Sequence, residues 1–122
     1  MTLENLLYLL QTNPDTVEFQ DVMMVIAEQY DYTPTRFTNG LGDDVIVNAA
    51  GENEGSCKIF ALGQLLDFTE QQTLACFGSF YRDDVLLHPQ GESHANIRRF
   101  MRHGWAGIHF EGEALRPKTS NR

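Results

Sequence analysis

A chain of 122 residues, 42% apolar and 21% charged, is long enough to bury one hydrophobic core and too apolar for intrinsic disorder. Its net charge of −8 argues against a general binder of nucleic acid or of anionic membranes, because both are polyanions. Two cysteines, Cys57 and Cys76, with no CxxC pair exclude a zinc ribbon and a thioredoxin motif, and no apolar run approaches the roughly 18 residues of a membrane span.

The predicted elements run as follows. Thr2 is placed to cap a short helix carrying Leu3, Leu6, Leu7 and Leu10, which Asn13-Pro14 ends. Glu4 stands where a Sec signal would be basic, so none is expected. Val22, Met23, Val25, Ile26 and Tyr30 predict a second helix over about 20–30, with the methionine pair as core packing. Residues 31–40 read as a connection, reversing at Asn39-Gly40, and Val45-Ile46-Val47 reads as a strand. The polar loop 48–55 then feeds an apolar helix, 56–66. Thr69 and Gln72 form a capping box that opens the second arm of a helical hairpin, about 70–82, with Cys76 on a buried face. After a loop from Asp83 to Gly91, Ser93 caps a helix that Gly104 closes, and Trp105 to Phe110 reads as a strand. A single α+β domain over 1–115 is expected, with four to five short helices, a small sheet of two or more short strands and a frayed polar tail, 116–122.

Two places carry candidate chemistry. Gly51, Gly55 and Lys58 resemble a phosphate loop superficially, but the spacing is wrong and no Ser or Thr follows the lysine. Cys57, in the first turn of its helix beside Lys58, is instead a candidate nucleophile or redox thiol, with His94 or His103 as a base; the plainer alternative is a small buried residue. No HxxxH or HExxH spacing exists, so no metal and no cofactor is expected.

The second place is residues 94–103, which hold Arg98, Arg99, Arg102, His94 and His103 and no acid. Subtracting the +3 of residues 94–109 from −8 leaves −11 on the rest of the chain. On a helix, Ile97, Phe100, Met101 and Gly104 form the inward stripe, with Arg98 and Arg102 on one flank and Arg99 and His103 on the other. Something negative must face such a cluster. It is either the chain's own acids, among Asp43, Asp44, Glu52, Glu54, Asp83 and Asp84, or a ligand. The ligand reading is a pocket in which Arg99, Arg102 and His103 meet Asn53, Glu54, Ser56 and Lys58 of the loop around an anionic small molecule or acidic protein partner.

Taken together, Tyr32-Thr33-Pro34, Phe37-Thr38-Asn39-Gly40, Asn48-Ala49-Ala50-Gly51, Asn53-Glu54-Gly55-Ser56-Cys57-Lys58-Ile59-Phe60, Thr73-Leu74-Ala75-Cys76-Phe77-Gly78, His94-Ala95-Asn96-Ile97-Arg98 and Phe100-Met101-Arg102-His103-Gly104-Trp105-Ala106-Gly107 resemble the HopJ type III effector protein family over nearly the whole chain. The resemblance implies a small bacterial protein with no established enzymatic activity, hence no catalytic residues to carry over. It also implies export by a type III system and a host protein as a possible partner. Residues 1–50 contain no serine and begin with a leucine-rich helix, which fits a resident cytoplasmic protein as the alternative.

Overall fold

Five short helices and five three-residue strands have too little apolar surface to stand alone, and they share one core, to which the longest helix contributes Cys57, Ile59, Phe60, Ala61 and Leu62. The structure, a computed structural model, describes residues 1–118. The first helix, α1 (Leu3–Thr12), begins where the Thr2 hydroxyl accepts the Asn5 N–H at 3.0 Å, and it buries Leu6 and Leu10. The second, α2 (Phe19–Gln29), buries Val22, Val25 and Ile26. Its methionines separate: Met23 packs on the core, whereas Met24 is 57% exposed, so the pair is not uniformly core.

The expected connection over 31–40 contains two strands. Helix α2 runs straight into β1 (Tyr30–Tyr32), and β2 (Phe37–Asn39) follows. Strand β3 (Ile46–Asn48) lies one residue beyond the expected strand. Glycine is required at position 40, where φ is +115° and an added Cβ would meet the Asp44 carbonyl at 2.0 Å. That close approach folds the chain into a 3₁₀ turn at Gly42–Asp44 and fixes Asp44 beside the sheet.

The central helix, α3 (Glu54–Leu66), starts two residues earlier than expected and buries Cys57, Ile59, Phe60, Ala61, Leu62 and Gly63 on several sides. Phe60 is the hub of its packing, with ring centroids of Phe37, Phe77, Phe100 and Trp105 between 5.0 and 6.4 Å away. The capping box forms as expected at the start of α4 (Glu70–Ala75). The arm does not continue unbroken to 82. Gly78 turns the backbone to φ +60° where a Cβ would lie 2.7 Å from the Phe19 amide nitrogen, and a π-helix occupies Phe80–Val85.

Helix α5 (Ala95–His103) ends at Gly104, φ +62°. The strand expected over 105–110 is shortened to β4 (Ile108–Phe110), because Gly104–Gly107 coils into a 3₁₀ turn. The turn lays Trp105 edge-on to Phe60 and Phe100 and lets its indole N–H donate to the Phe68 carbonyl at 3.0 Å.

Strands β3, β2 and β4 form one antiparallel sheet in that order, with Phe37 opposite both Asn48 and Phe110. The last strand, β5 (Leu115–Pro117), pairs antiparallel with β1. Residues 116–118 are therefore not frayed. Lys118 donates its backbone N–H to the Gln29 carbonyl and its ammonium to the Ala27 carbonyl, a cation at the C-terminus of α2. The remainder of the expected tail, 119–122, lies outside the described residues. The described residues make a single α+β domain of five α-helices, one π-helix and two small sheets. Among them no helix is long and apolar enough to cross a membrane.

Candidate functional site

The pose of α5 is set by amides buried beneath it. Asn39 at the end of β2, Asn48 at the end of β3 and Asn96 in the first turn of α5 are all buried. The Asn39 amide donates to the Asn96 backbone carbonyl at 2.9 Å and to its Oδ1 at 3.0 Å. Asn48 and Asn96 exchange side-chain hydrogen bonds at 3.2 and 2.9 Å, and Asn53 donates to Asn48 Oδ1 at 2.7 Å. These bonds join the sheet, α5 and the start of α3 in one network. Three asparagines at strand ends and helix starts read as turn and cap residues, so the sequence conceals that they are neighbours.

With Asn96, Ile97 and Phe100 turned inward, the arginines have separate fates. Arg98 is only 8% exposed, and its guanidinium donates to the carbonyls of Ser93, His88 and Asp84. It clips the segment 84–93 to α5 and is not the outward cation that helical spacing predicts. Ser93 contributes through this carbonyl; the N-cap position belongs to His94, in left-handed conformation. Met101, predicted inward, is 43% exposed.

Arg99, Arg102 and His103 converge on Asp44. Arg102 donates from Nε at 2.8 Å and from Nη2 at 3.2 Å, Arg99 Nη2 lies at 3.5 Å, and His103 Nε2 lies at 2.8 Å. Arg99 Nε also donates to the Asp44 carbonyl. The hydrogen bonds from Arg102 and His103, with the Arg102 and Arg99 charges behind them, hold the Asp44 carboxyl down at about 2. One carboxylate answers two guanidiniums. Among the described residues neither Arg99 Nη1 nor Arg102 Nη1 has a protein acceptor. Arg98, Arg99 and Arg102 line a cleft of about 440 Å³, closed by Ile46, Ala95 and Glu92.

The loop before α3 does not meet this cluster. Asn53 joins the amide network, and Ser56 faces a separate cavity of about 180 Å³ with His94, Phe19 and Phe80. His94 Nε2 lies 3.0 Å from Asp84. The Lys58 ammonium sits 4.7 Å from the centre of the Tyr32 ring. Burial pushes the pKa of the Tyr32 hydroxyl up, and the neighbouring Cys57 and Glu54 add to the rise.

Cys57 is 1% exposed, and its Sγ lies 3.7 Å from the Thr35 carbonyl. Because α3 begins at Glu54, the Cys57 amide is already bonded to the Asn53 carbonyl at 3.0 Å. Burial is the largest influence on the thiol and raises its pKa, outweighing the lowering effect of Lys58 beside it. Neither His94 nor His103 is its hydrogen-bond partner; each holds an aspartate instead. Cys76 is fully buried, with its thiol pushed up to about 12 by burial.

Comparison with known proteins agrees with this fold. The chain is similar to a solved structure described as "Crystal structure of unknown function protein VPA0580", with 52% identity, a TM-score of 0.91, and coverage of 97% of this chain and 95% of that one. No curated protein matches it. The family model for HopJ type III effector protein matches residues 3–115, nearly all of the domain. The chain belongs to the HopJ type III effector protein family.

Proposed function

We propose that this protein acts by binding, as a type III effector-like protein, and that it holds an anionic ligand or an acidic partner in the α5 cleft. The observation that carries this reading is the pair of guanidiniums of Arg99 and Arg102, anchored by a shared Asp44, each with a terminal nitrogen that has no acceptor among the described residues. A planar donor fork already fixed in orientation loses little entropy when it takes up a carboxylate or phosphate. Asp44 supplies that fixing and leaves positive charge over. The surrounding chain is acidic, so an anion is drawn to this place and repelled elsewhere.

Citrate titrated into isotopically labelled protein tests the site. Shifts of the Arg99 and Arg102 side-chain N–H signals and of the backbone at 42–46 and 91–95, weakening as salt rises, are the expected result. Shifts confined to 53–58, or none, would contradict it.

The location of action carries a second reading. Helix α1 is docked in the core through Leu6 and Leu10, and the alternative reading is a resident cytoplasmic protein. A translocation reporter fused to residues 1–50 and to the full chain separates the two. Delivery that requires the type III apparatus supports the effector role, and retention in both strains supports the resident one.

A further inference from the structure

Beyond Arg98 and Arg102 the arginine cleft has a neighbour. A second cavity of about 240 Å³ is lined by Val85, Leu86, Pro89 and Met101, and it shares Gly91, Arg98 and Arg102 with the first. Its walls are mainly apolar. Met101 and Leu86 are 43% and 45% exposed, and Leu87 beside them is more exposed still. Met101 and Arg102 stand three and four positions beyond Arg98 on α5, one turn on and to either side of it, and all three line this cavity.

This juxtaposition narrows the ligand. A small free anion would occupy the arginine cleft and leave the apolar cavity in water. A nucleic acid would use the guanidiniums but meet an acidic chain elsewhere and gain little from Leu86 and Met101. A protein segment can satisfy both halves at once, through an apolar side chain in one cavity and carboxylates in the other. Met is suited to such a surface because its flexible thioether adapts to the incoming side chain. Arg98, held by three backbone carbonyls, forms a fixed wall between the halves.

We infer that the two cavities form one docking groove for an acidic protein segment, with a large apolar side chain seated against Leu86 and Met101 and flanking carboxylates on Arg99 and Arg102. The inference rests on the anion-binding reading above and goes further by naming the partner's chemistry. Charge complementarity gives the sign of the partner, and the exposed apolar wall gives its anchor.

Selection from a displayed random-peptide library on the intact protein is the test, with citrate titration run in parallel. Enriched peptides should combine Asp or Glu with one Phe, Leu, Met or Trp. The double variant Leu86→Gln/Met101→Gln, neutral and at exposed positions, should weaken a selected peptide by about tenfold or more. It should leave the citrate shifts at Arg99 and Arg102 unchanged. Arg99→Gln/Arg102→Gln should abolish both. Enrichment of acidic peptides without an apolar residue, no enrichment while citrate still shifts those arginines, or indifference to the Leu86/Met101 variant would overturn the groove and leave the anion site standing. Failure of both peptides and citrate would overturn the two together.

Discussion

The beginning of α3 and the far end of α5 both place a cation beside a candidate reactive group, yet the fold treats them in opposite ways. At α3 the thiol of Cys57 is sealed under Thr35 and Tyr32, and Lys58 is spent on the face of an aromatic ring. At α5 the guanidiniums of Arg99 and Arg102 are fixed by Asp44 and still face a cleft. A polar loop before an apolar helix marks a boundary of the core. A charged helix face with no acid of its own marks a surface that must find its counter-charge elsewhere. The difference teaches that proximity to a helix start does not activate a buried thiol, because desolvation outweighs the local field.

If α3 belongs to the core, substitutions there should act on stability. Phe60→Ala removes the ring that Phe37, Phe77, Phe100 and Trp105 all meet, and should cost about 3–5 kcal/mol in urea unfolding. A cost below about 1 kcal/mol would break the comparison from the side of α3, since surface positions behave that way.

Asn96→Ala joins the two regions. It strips partners from the buried amides of Asn39 and Asn48, and should cost about 1–3 kcal/mol. It should also weaken citrate binding, because Asn96 sets the rotation of α5. Loss of stability with citrate affinity intact would show that the arginines need no help from the network.

Arg99→Gln should shift unfolding by less than about 1 kcal/mol, as expected for a partly exposed ion pair with one long contact, while reducing citrate affinity several-fold. A larger effect on folding than on binding would reassign the cluster to structure.

The smallest effect is the one of acid on Asp44. Its carboxyl is held at about 2, below its ordinary value of 3.8, so the link to α5 is at full strength above about pH 4 and is lost as pH falls through about 2. The Asp44 carboxyl carbon resonance should therefore titrate well below that of an exposed aspartate. A midpoint near the ordinary value would show that the arginines do not hold it.

Much of this was legible in the chain itself, and the failures have common causes. Helices α1 and α2, the capping box at Thr69 and the stop at Gly104 follow from local signals and stand where those signals put them. Strands β1 and β5 escape notice because each has three residues and its partner lies at the other end of the sequence, Tyr30 opposite Pro117. Trp105 to Gly107 could alternate as a strand, but Gly63 leaves room for the indole and the chain coils to reach it; a Cβ on Gly63 would come within 2.7 Å of the ring. The arginine cluster is visible as an acid-free run, and Asp44 is one of six acids the sequence offers as its partner. Arg98 was unreadable because its partners are backbone carbonyls, which carry no side-chain signature. Met101 fits the inward spacing as well as Ile97 does, and only the position of the 84–93 segment decides that it stays at the surface.

The central claim is that Arg99 and Arg102 carry unspent positive charge around a single carboxylate. Calorimetric titration of citrate into wild-type protein and into Arg99→Gln/Arg102→Gln measures this directly. Saturable binding to the wild type that weakens as salt rises and is lost in the double variant is the predicted result. No binding to the wild type would contradict the claim and would mean that Asp44 already satisfies the cluster; equal binding to both proteins would contradict it by placing citrate elsewhere.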